Sequence, residues 1–164
     1  MEKKYILNQQ TIDKKLRRMA YEILENNYNE ESLILIGIRD NGSVIAEHIK
    51  QLLKEISDIP TTLLHISLNK KLPGKIELSG AADFKDKVLI VIDDVANSGK
   101  TMLYSMQPLL QYYPRKIQTL ALVERTHKLY PVHNDYVGLS VATTLHEHIY
   151  VEVQDNIVSG AYME

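Results

Sequence analysis

Cysteine is absent from this 164-residue chain, which excludes disulfides and thiolate metal ligation outright. Tryptophan is absent too and phenylalanine occurs once, so the aromatic content rests on ten tyrosines. These are scattered, several at expected helix or strand ends, where an amphipathic ring fits without any stacking role. No apolar run approaches the ~18 residues of a membrane span, and the opening MEKKYILNQQ lacks the apolar stretch of a secretory signal. The expectation is a cytoplasmic protein with no membrane partner. Charge of one sign is also scarce: the formal net charge is −2, so nucleic acid would need a local basic patch. No repeat, low-complexity stretch or linker divides the sequence, and its length suits a single domain over residues 1–164 with one core.

What is present is a regular alternation. Residues 11–28 read as a helix with Thr11 as N-cap and Ile12, Leu16, Met19, Ile23 and Leu24 as an apolar stripe. SLILIGI (32–38) reads as a strand buried on both faces, as in parallel sheets. From Gly42 a second helix runs to about Ile56, and Pro60 opens the strand TTLLHISL. Residues 69–81 (NKKLPGKIELSGA) are polar and basic and read as a mobile loop or hairpin. Residues 88–92 are the most strand-like run, ended by DDVANSG; a helix resumes near Lys100 and stops at Pro114, and 117–123 is a further buried strand. This order predicts an α/β fold, a doubly wound, mostly parallel sheet of about five strands with helices on both faces. Ligands in such sheets sit beyond the carboxyl ends of the strands. Three strands end in candidate site residues, at 39–42, 93–101 and 124–127.

The most informative segment is Asp93-Asp94-Val95-Ala96-Asn97-Ser98-Gly99-Lys100-Thr101. Gly99 removes a side chain where backbone must approach an anion. Successive N–H groups and a helix N-terminus make a positive concavity for phosphate, with Ser98 and Thr101 adding hydroxyls. Carboxylates repel phosphate, so Asp93 and Asp94 face neutral hydroxyls such as a sugar diol, or a divalent ion shared with the ligand. A Walker-type phosphate loop shares the GKT, but its first glycine would stand at position 94, where Asp94 is found. A mere solvated turn is the plain alternative; two carboxylates at the end of a buried strand are costly without a role.

A strand, two acids, a loop ending in Ser, then Gly-Lys-Thr resembles the phosphoribosyl-pyrophosphate motif of type I phosphoribosyltransferases. That resemblance implies that Asp93 and Asp94 bind the ribose hydroxyls and act catalytically with Arg39. It implies that Ala96, Asn97, Ser98, Gly99, Lys100 and Thr101 hold the 5′-phosphate. GIRDNG (37–42) is similar to the family's pyrophosphate loop, giving Arg39, Asp40, Asn41 and Gly42 that role, often beside a cis peptide. The C-terminal third is similar to the bifunctional pyrimidine operon attenuators with uracil phosphoribosyltransferase activity, through Arg125, His127, Pro131 and Asp135-Tyr136-Val137-Gly138. Glu124 and Lys128 there replace an aspartate and an arginine. By this resemblance Arg125, Val137 and Gly138 approach the base, and N- and C-terminal segments form a small hood over the sheet. The function implied is transfer of the phosphoribosyl group from phosphoribosyl pyrophosphate to a nucleobase, a pyrimidine such as uracil, with a nucleobase or nucleoside monophosphate as the second ligand. Mg²⁺ would act at Asp93 and Asp94, mostly through ligand or water, in a homodimer. The alternative is a nucleotide-sensing regulator that binds RNA with little catalysis.

The sequence departs from the attenuators at Asn41, where they carry a basic residue, and through Ala96 and Asn97. Purine salvage members place an aspartate at position 97; Asn97 cannot serve as that general base, which counts against a hypoxanthine-guanine enzyme. Residues 69–80 are the candidate lid, with Lys70, Lys71 or Lys75 reaching pyrophosphate. His146 and His148 would share one face of a strand as edge decoration, and His65 reads as a satisfied interior histidine. The cluster Lys14, Lys15, Arg17, Arg18 reads as a solvated helix face.

Overall fold

The computed structural model describes residues 2–80 and 83–164. In chain order these form β1 (Lys4–Asn8), α1 (Gln9–Asn26), β2 (Leu33–Ile38), α2 (Asn41–Ile56), β3 (Thr61–Ser67) and β4 (Glu77–Leu78). Then follow β5 (Val88–Ala96), α3 (Lys100–Leu110), β6 (Lys116–Arg125), β7 (Tyr136–Val141), β8 (Ile149–Gln154) and β9 (Ile157–Met163). Six strands make one sheet in the order β4-β3-β2-β5-β6-β7. All its pairings are parallel except that of β4, which runs against β3. The sheet is thus one strand wider than the five the sequence predicts. Strands β1, β9 and β8 form a separate antiparallel sheet, the hood, from both ends of the chain.

The apolar runs LILIGI and VLIVI are buried because both faces of the sheet are covered. Period-two alternation sends Leu33, Leu35, Ile90 and Ile92 against Ile12, Leu16, Ile45 and Ile49 of α1 and α2. It sends Ile34, Ile36, Leu89 and Val91 against Phe84 and against Met102 and Leu109 of α3. Each such burial contributes about 1.5–3 kcal/mol, so the inner strands are the most firmly held elements, and the site hangs from their ends. The connection from β2 to β3 moves one way along the sheet and that from β5 to β6 the other. The loops after β2 and β5 therefore diverge and leave a crevice at the switch point.

Three local expectations are corrected. The N-cap of α1 is Asn8, whose Oδ1 accepts the Thr11 N–H at 2.9 Å; an amide caps as well as the hydroxyl of Thr11 would. β5 does not end before the acids but carries Asp93 and Asp94 within it, because its pairing to β6 continues to Ala96 opposite Glu124. α3 closes at Leu110, ahead of Pro114. Pro108 lies inside its last turn and lacks an N–H, and Tyr113 turns the chain at φ 53°. The stretch after β3 is mostly irregular, with only Ser67–Glu77 and Ile66–Leu78 pairing as a hairpin; Ala81 at its end lies outside the described residues. No helix among the described residues is long and apolar enough to cross a membrane.

Candidate active site at the switch point

A cavity of about 570 Å³ opens at the carboxyl end of β5. Residues 93–102 form its floor, Asn41 and Lys70–Lys71 one side, and residues 148–151 of the hood its roof. A second cavity of about 350 Å³ adjoins it, lined by Arg39, Asp40, Asn41, Leu68, Lys70 and Asp94. Asn41 and Asp94 border both, as a two-part ligand with a shared middle requires. The Arg39–Asp40 peptide is cis.

Asp93 is 2% exposed. Its Oδ1 accepts the Asp94 N–H at 2.9 Å and Lys70 Nζ at 3.2 Å. Burial, then the neighbouring Asp94 charge, pushes its pKa from 3.8 up to about 8, against the pull of Lys70. Asp94 accepts the Val95 N–H through Oδ1 at 2.8 Å and Asn41 Nδ2 through Oδ2 at 3.0 Å. Lys70 Nζ also stands 3.7 Å from Asp94 Oδ1, so one ammonium spans both acids. Burial lowers the pKa of that ammonium, but the two carboxylates outweigh it and keep it charged.

Gly99 turns the chain into α3 at φ 83°, a conformation that disfavours any residue with a Cβ. Ser98 Oγ accepts the Lys100 N–H at 3.2 Å, and Lys100 Nζ reaches the carbonyl of Lys71 at 3.1 Å. The candidate lid is therefore seated in the cavity at two points, Lys70 on the acids and Lys71 on the helix start. Lys75 instead pairs with Glu77. Asn97 lines the cavity, and its Oδ1 is buried with no hydrogen-bond partner among the described residues.

The structure thus brings together Arg39, Asp40, Asn41, Asp93, Asp94 and residues 96–101. Gly42 lies just beneath them, against Ile92 and Asp93. It does not bring Val137, Gly138 or Arg125 to the cavity. The carbonyls of Val137 and Gly138 accept Arg18 and Lys15 from α1, and Arg125 donates to the Thr144 carbonyl at 3.1 Å. Gly138 serves strand packing: an added Cβ would stand 2.3 Å from the Leu122 carbonyl oxygen. Gly138→Ala is expected to lower stability by about 2–4 kcal/mol in urea unfolding, with ligand affinity of the folded protein unchanged. A selective loss of base affinity would restore it to the site.

Residues 148–151 line the cavity instead, and sequence reasoning missed them. His148 N–H and C=O both pair with Glu164. Antiparallel alternation then turns the backbone groups of Ile149 and Val151 to the open edge of β8, over the cavity. Val151 C=O is taken there by Asn41 Nδ2 at 3.1 Å. The alternation of buried Ile149 and Val151 with exposed Tyr150 was the available signal. His146 precedes β8, so the two histidines do not share a strand face; His148 lies at the cavity rim. His65 is satisfied, with Nδ1 2.8 Å from Ser43 Oγ.

The family description "Phosphoribosyl transferase domain" matches residues 3–156. The Bifunctional protein PyrR of Staphylococcus haemolyticus is 34% identical over 167 residues, covering 94% of both chains. That of Macrococcus caseolyticus is 30% identical over 164 residues, again covering 94% of both. Among solved structures, the hypoxanthine phosphoribosyltransferase of Trypanosoma cruzi is similar at a TM-score of 0.80 and 13% identity, covering 98% of this chain and 95% of that one. A hypoxanthine-guanine phosphoribosyltransferase of Bacillus anthracis gives 0.71 at 19%, with 86% and 84% covered. At such identities the structural likeness is one of fold. The family match contains Asp93, Asp94, the 96–101 loop and the β8 edge, and the chain belongs to the phosphoribosyl transferase domain family.

Proposed function

We propose that the protein transfers the 5-phosphoribosyl group from phosphoribosyl pyrophosphate to a nucleobase, a pyrimidine such as uracil. The observation that carries this is the pair of adjoining cavities, with Asp93 and Asp94 between a glycine-turned helix start and the 39–42 loop. Residues 96–101 hold the 5′-phosphate, Asp93 and Asp94 accept the ribose hydroxyls, and Arg39 with the 40–42 amides receives the pyrophosphate. A base nitrogen forms the bond to the anomeric carbon as the carbon–oxygen bond to pyrophosphate breaks, with oxocarbenium character by analogy to glycoside chemistry. The bonding pair leaves with pyrophosphate, and the base N–H proton passes to it or to water. The open backbone groups of Ile149 and the Asn97 amide meet the base edge. Asn97 takes no proton, which sets this site apart from one with an aspartate there.

Asp93 and Asp94 fit a divalent ion shared with the substrate. No group of three or more His, Cys, Asp or Glu among the described residues forms a self-sufficient cage. Mg²⁺ is commonly held by one or two carboxylates plus substrate oxygens, and the Lys70 ammonium already shows that a cation is accommodated beside both acids. When bound, Mg²⁺ would supply neutralisation of the departing pyrophosphate. Lys70 must leave the acids as ligand enters, which frees it for the pyrophosphate and lets residues 69–80 close the cavity against water.

The test is pyrophosphate release with Mg²⁺ across a panel of bases. Uracil is expected to support turnover, and a folded protein that releases no pyrophosphate with any base refutes the reading. The similarity to proteins named Bifunctional protein PyrR supports a second reading, a nucleotide-sensing regulator that binds RNA. Against it, the basic face of α1 is largely engaged: Lys15 and Arg18 bond β7 carbonyls and Arg17 pairs with Glu55. A gel shift with pyrimidine leader RNA at low salt decides, since phosphate contacts are strongest there. A homodimer is part of the proposal, and sedimentation checks it.

A further inference from the structure

Beyond the end of β6 lies an irregular segment, residues 126–134, that touches the phosphate loop from behind. Its Leu129 and Tyr130 N–H groups both donate to the Ser98 carbonyl, each at 3.0 Å. Two donors on one carbonyl fix the plane of the Ser98–Gly99 peptide. In a trans peptide the N–H points opposite to the C=O, so the Gly99 N–H is aimed away from this segment, and Gly99 lines the cavity. Gly99 faces this segment closely, since an added Cβ would stand 3.3 Å from the Tyr130 carbonyl oxygen and 3.6 Å from Lys128 Cδ.

The segment is itself anchored by a buried ion pair. Lys128 Nζ donates to Glu124 Oε1 at 2.7 Å, with the two side chains 12% and 8% exposed. Asn134 Nδ2 donates to the same oxygen at 2.9 Å, and Ser140 Oγ lies 3.4 Å from Oε2. One carboxylate thus holds the segment near both ends, at 128 and at 134. Burial disfavours the Glu124 carboxylate, but the Lys128 and Asn134 hydrogen bonds outweigh it and keep its pKa below the usual range. Neither Glu124 nor Lys128 lines the cavity.

We infer that Glu124 and Lys128 are positioning residues for the 5′-phosphate subsite: their ion pair holds residues 126–134 so that two N–H groups lock the Ser98 carbonyl and aim the Gly99 N–H at phosphate. This rests on the phosphoribosyl reading of the cavity. The experiment is calorimetric titration of the whole chain with ribose 5-phosphate and, separately, with uridine, which lacks the phosphate. The neutral, similarly shaped pair Glu124→Gln with Lys128→Met is expected to bind ribose 5-phosphate about tenfold more weakly, the scale of one misaimed hydrogen bond, with uridine unchanged. Lys128→Arg, which keeps the charge, should stay within about twofold of the wild type on the same scale. If the neutral pair does not fold, Glu124→Asp, which withdraws the carboxylate by one methylene, is expected to show the same phosphate-selective loss. Equal loss for both ligands, or no loss, overturns the inference while leaving the site reading intact. A wild type that binds uridine but not ribose 5-phosphate overturns both.

Discussion

Asp93→Asn is expected to slow transfer on the order of 100-fold and yet raise the melting temperature of the ligand-free protein at pH 8. Asp93 is 2% exposed, and burial followed by the charge of Asp94 carries its pKa from 3.8 to about 8. Below about pH 4 the carboxyl is protonated in both folded and unfolded chains and contributes no slope. Between there and pH 8 the unfolded chain has lost the proton and the folded chain keeps it. The unfolded state then binds fewer protons, so stability falls as pH rises through this window. Asparagine keeps the oxygen that accepts the Asp94 N–H and removes the titration. The gap between the two proteins should therefore be small at pH 5 and widest near pH 8, followed by calorimetry across that range. Activity moves the other way, because a neutral amide no longer offers a charged acceptor to the ribose hydroxyls or to the cation. Charge-assisted bonds are roughly twice as strong as neutral ones, so a loss on the order of 100-fold in kcat/KM is expected. A gap that does not widen with pH would mean that Asp93 is ionised in the free protein, with Lys70 fully compensating it.

The centre of the site was readable from the residues themselves, whereas the hood over it followed only from the resemblance and its cavity-facing edge was not placed. Asp93, Asp94, Gly99 and the start of α3 lie within one short window, where a buried strand leads straight into carboxylates and a glycine. A local conflict between burial and charge is visible without any tertiary knowledge. The hood is the opposite case. β1 is five residues long with mixed burial, and its partner β9 lies at the other end of the chain, Lys4 opposite Met163. No local pattern encodes that pairing, so the open edge of β8 could not be placed over the cavity. The base contacts were accordingly assigned by resemblance to Val137 and Gly138. There the glycine answers to the Leu122 backbone, and the two carbonyls answer to α1. The same limit applies at smaller scale to β4, whose two residues are a strand only because β3 offers an edge.

Gly42→Ala is the substitution in which fold and site should fail together. Gly42 is buried in the first turn of α2. A Cβ there would stand 2.6 Å from the Ile92 carbonyl oxygen, 3.0 Å from Asp93 Cα and 3.1 Å from Asp93 Oδ1. The first two are backbone atoms of the central strand, which cannot swing aside as a side-chain tip can, so α2 must move. Overpacking of this kind costs about 1–3 kcal/mol and occasionally more, and a loss of about 2–4 kcal/mol is expected in urea unfolding. Most domains have about 5–15 kcal/mol in hand, so the variant stays folded at low temperature and its kinetics report on geometry. The shift carries Asn41 with it, and with Asn41 go the 3.0 Å bond to Asp94 Oδ2 and the 3.1 Å bond to the Val151 carbonyl. Those two bonds join the 39–42 loop to Asp94 and to the hood. Displacements near 1 Å in such a constellation cost on the order of 100-fold in rate, and a loss of that size in kcat/KM is expected. Gly74→Ala is the control for the unfolding measurement, since nothing lies within 4 Å of its added Cβ, and it should leave the urea midpoint unchanged. If Gly42→Ala loses stability but keeps kcat/KM within about twofold, the contact of α2 with β5 supports the fold without setting the distance between the two halves of the site.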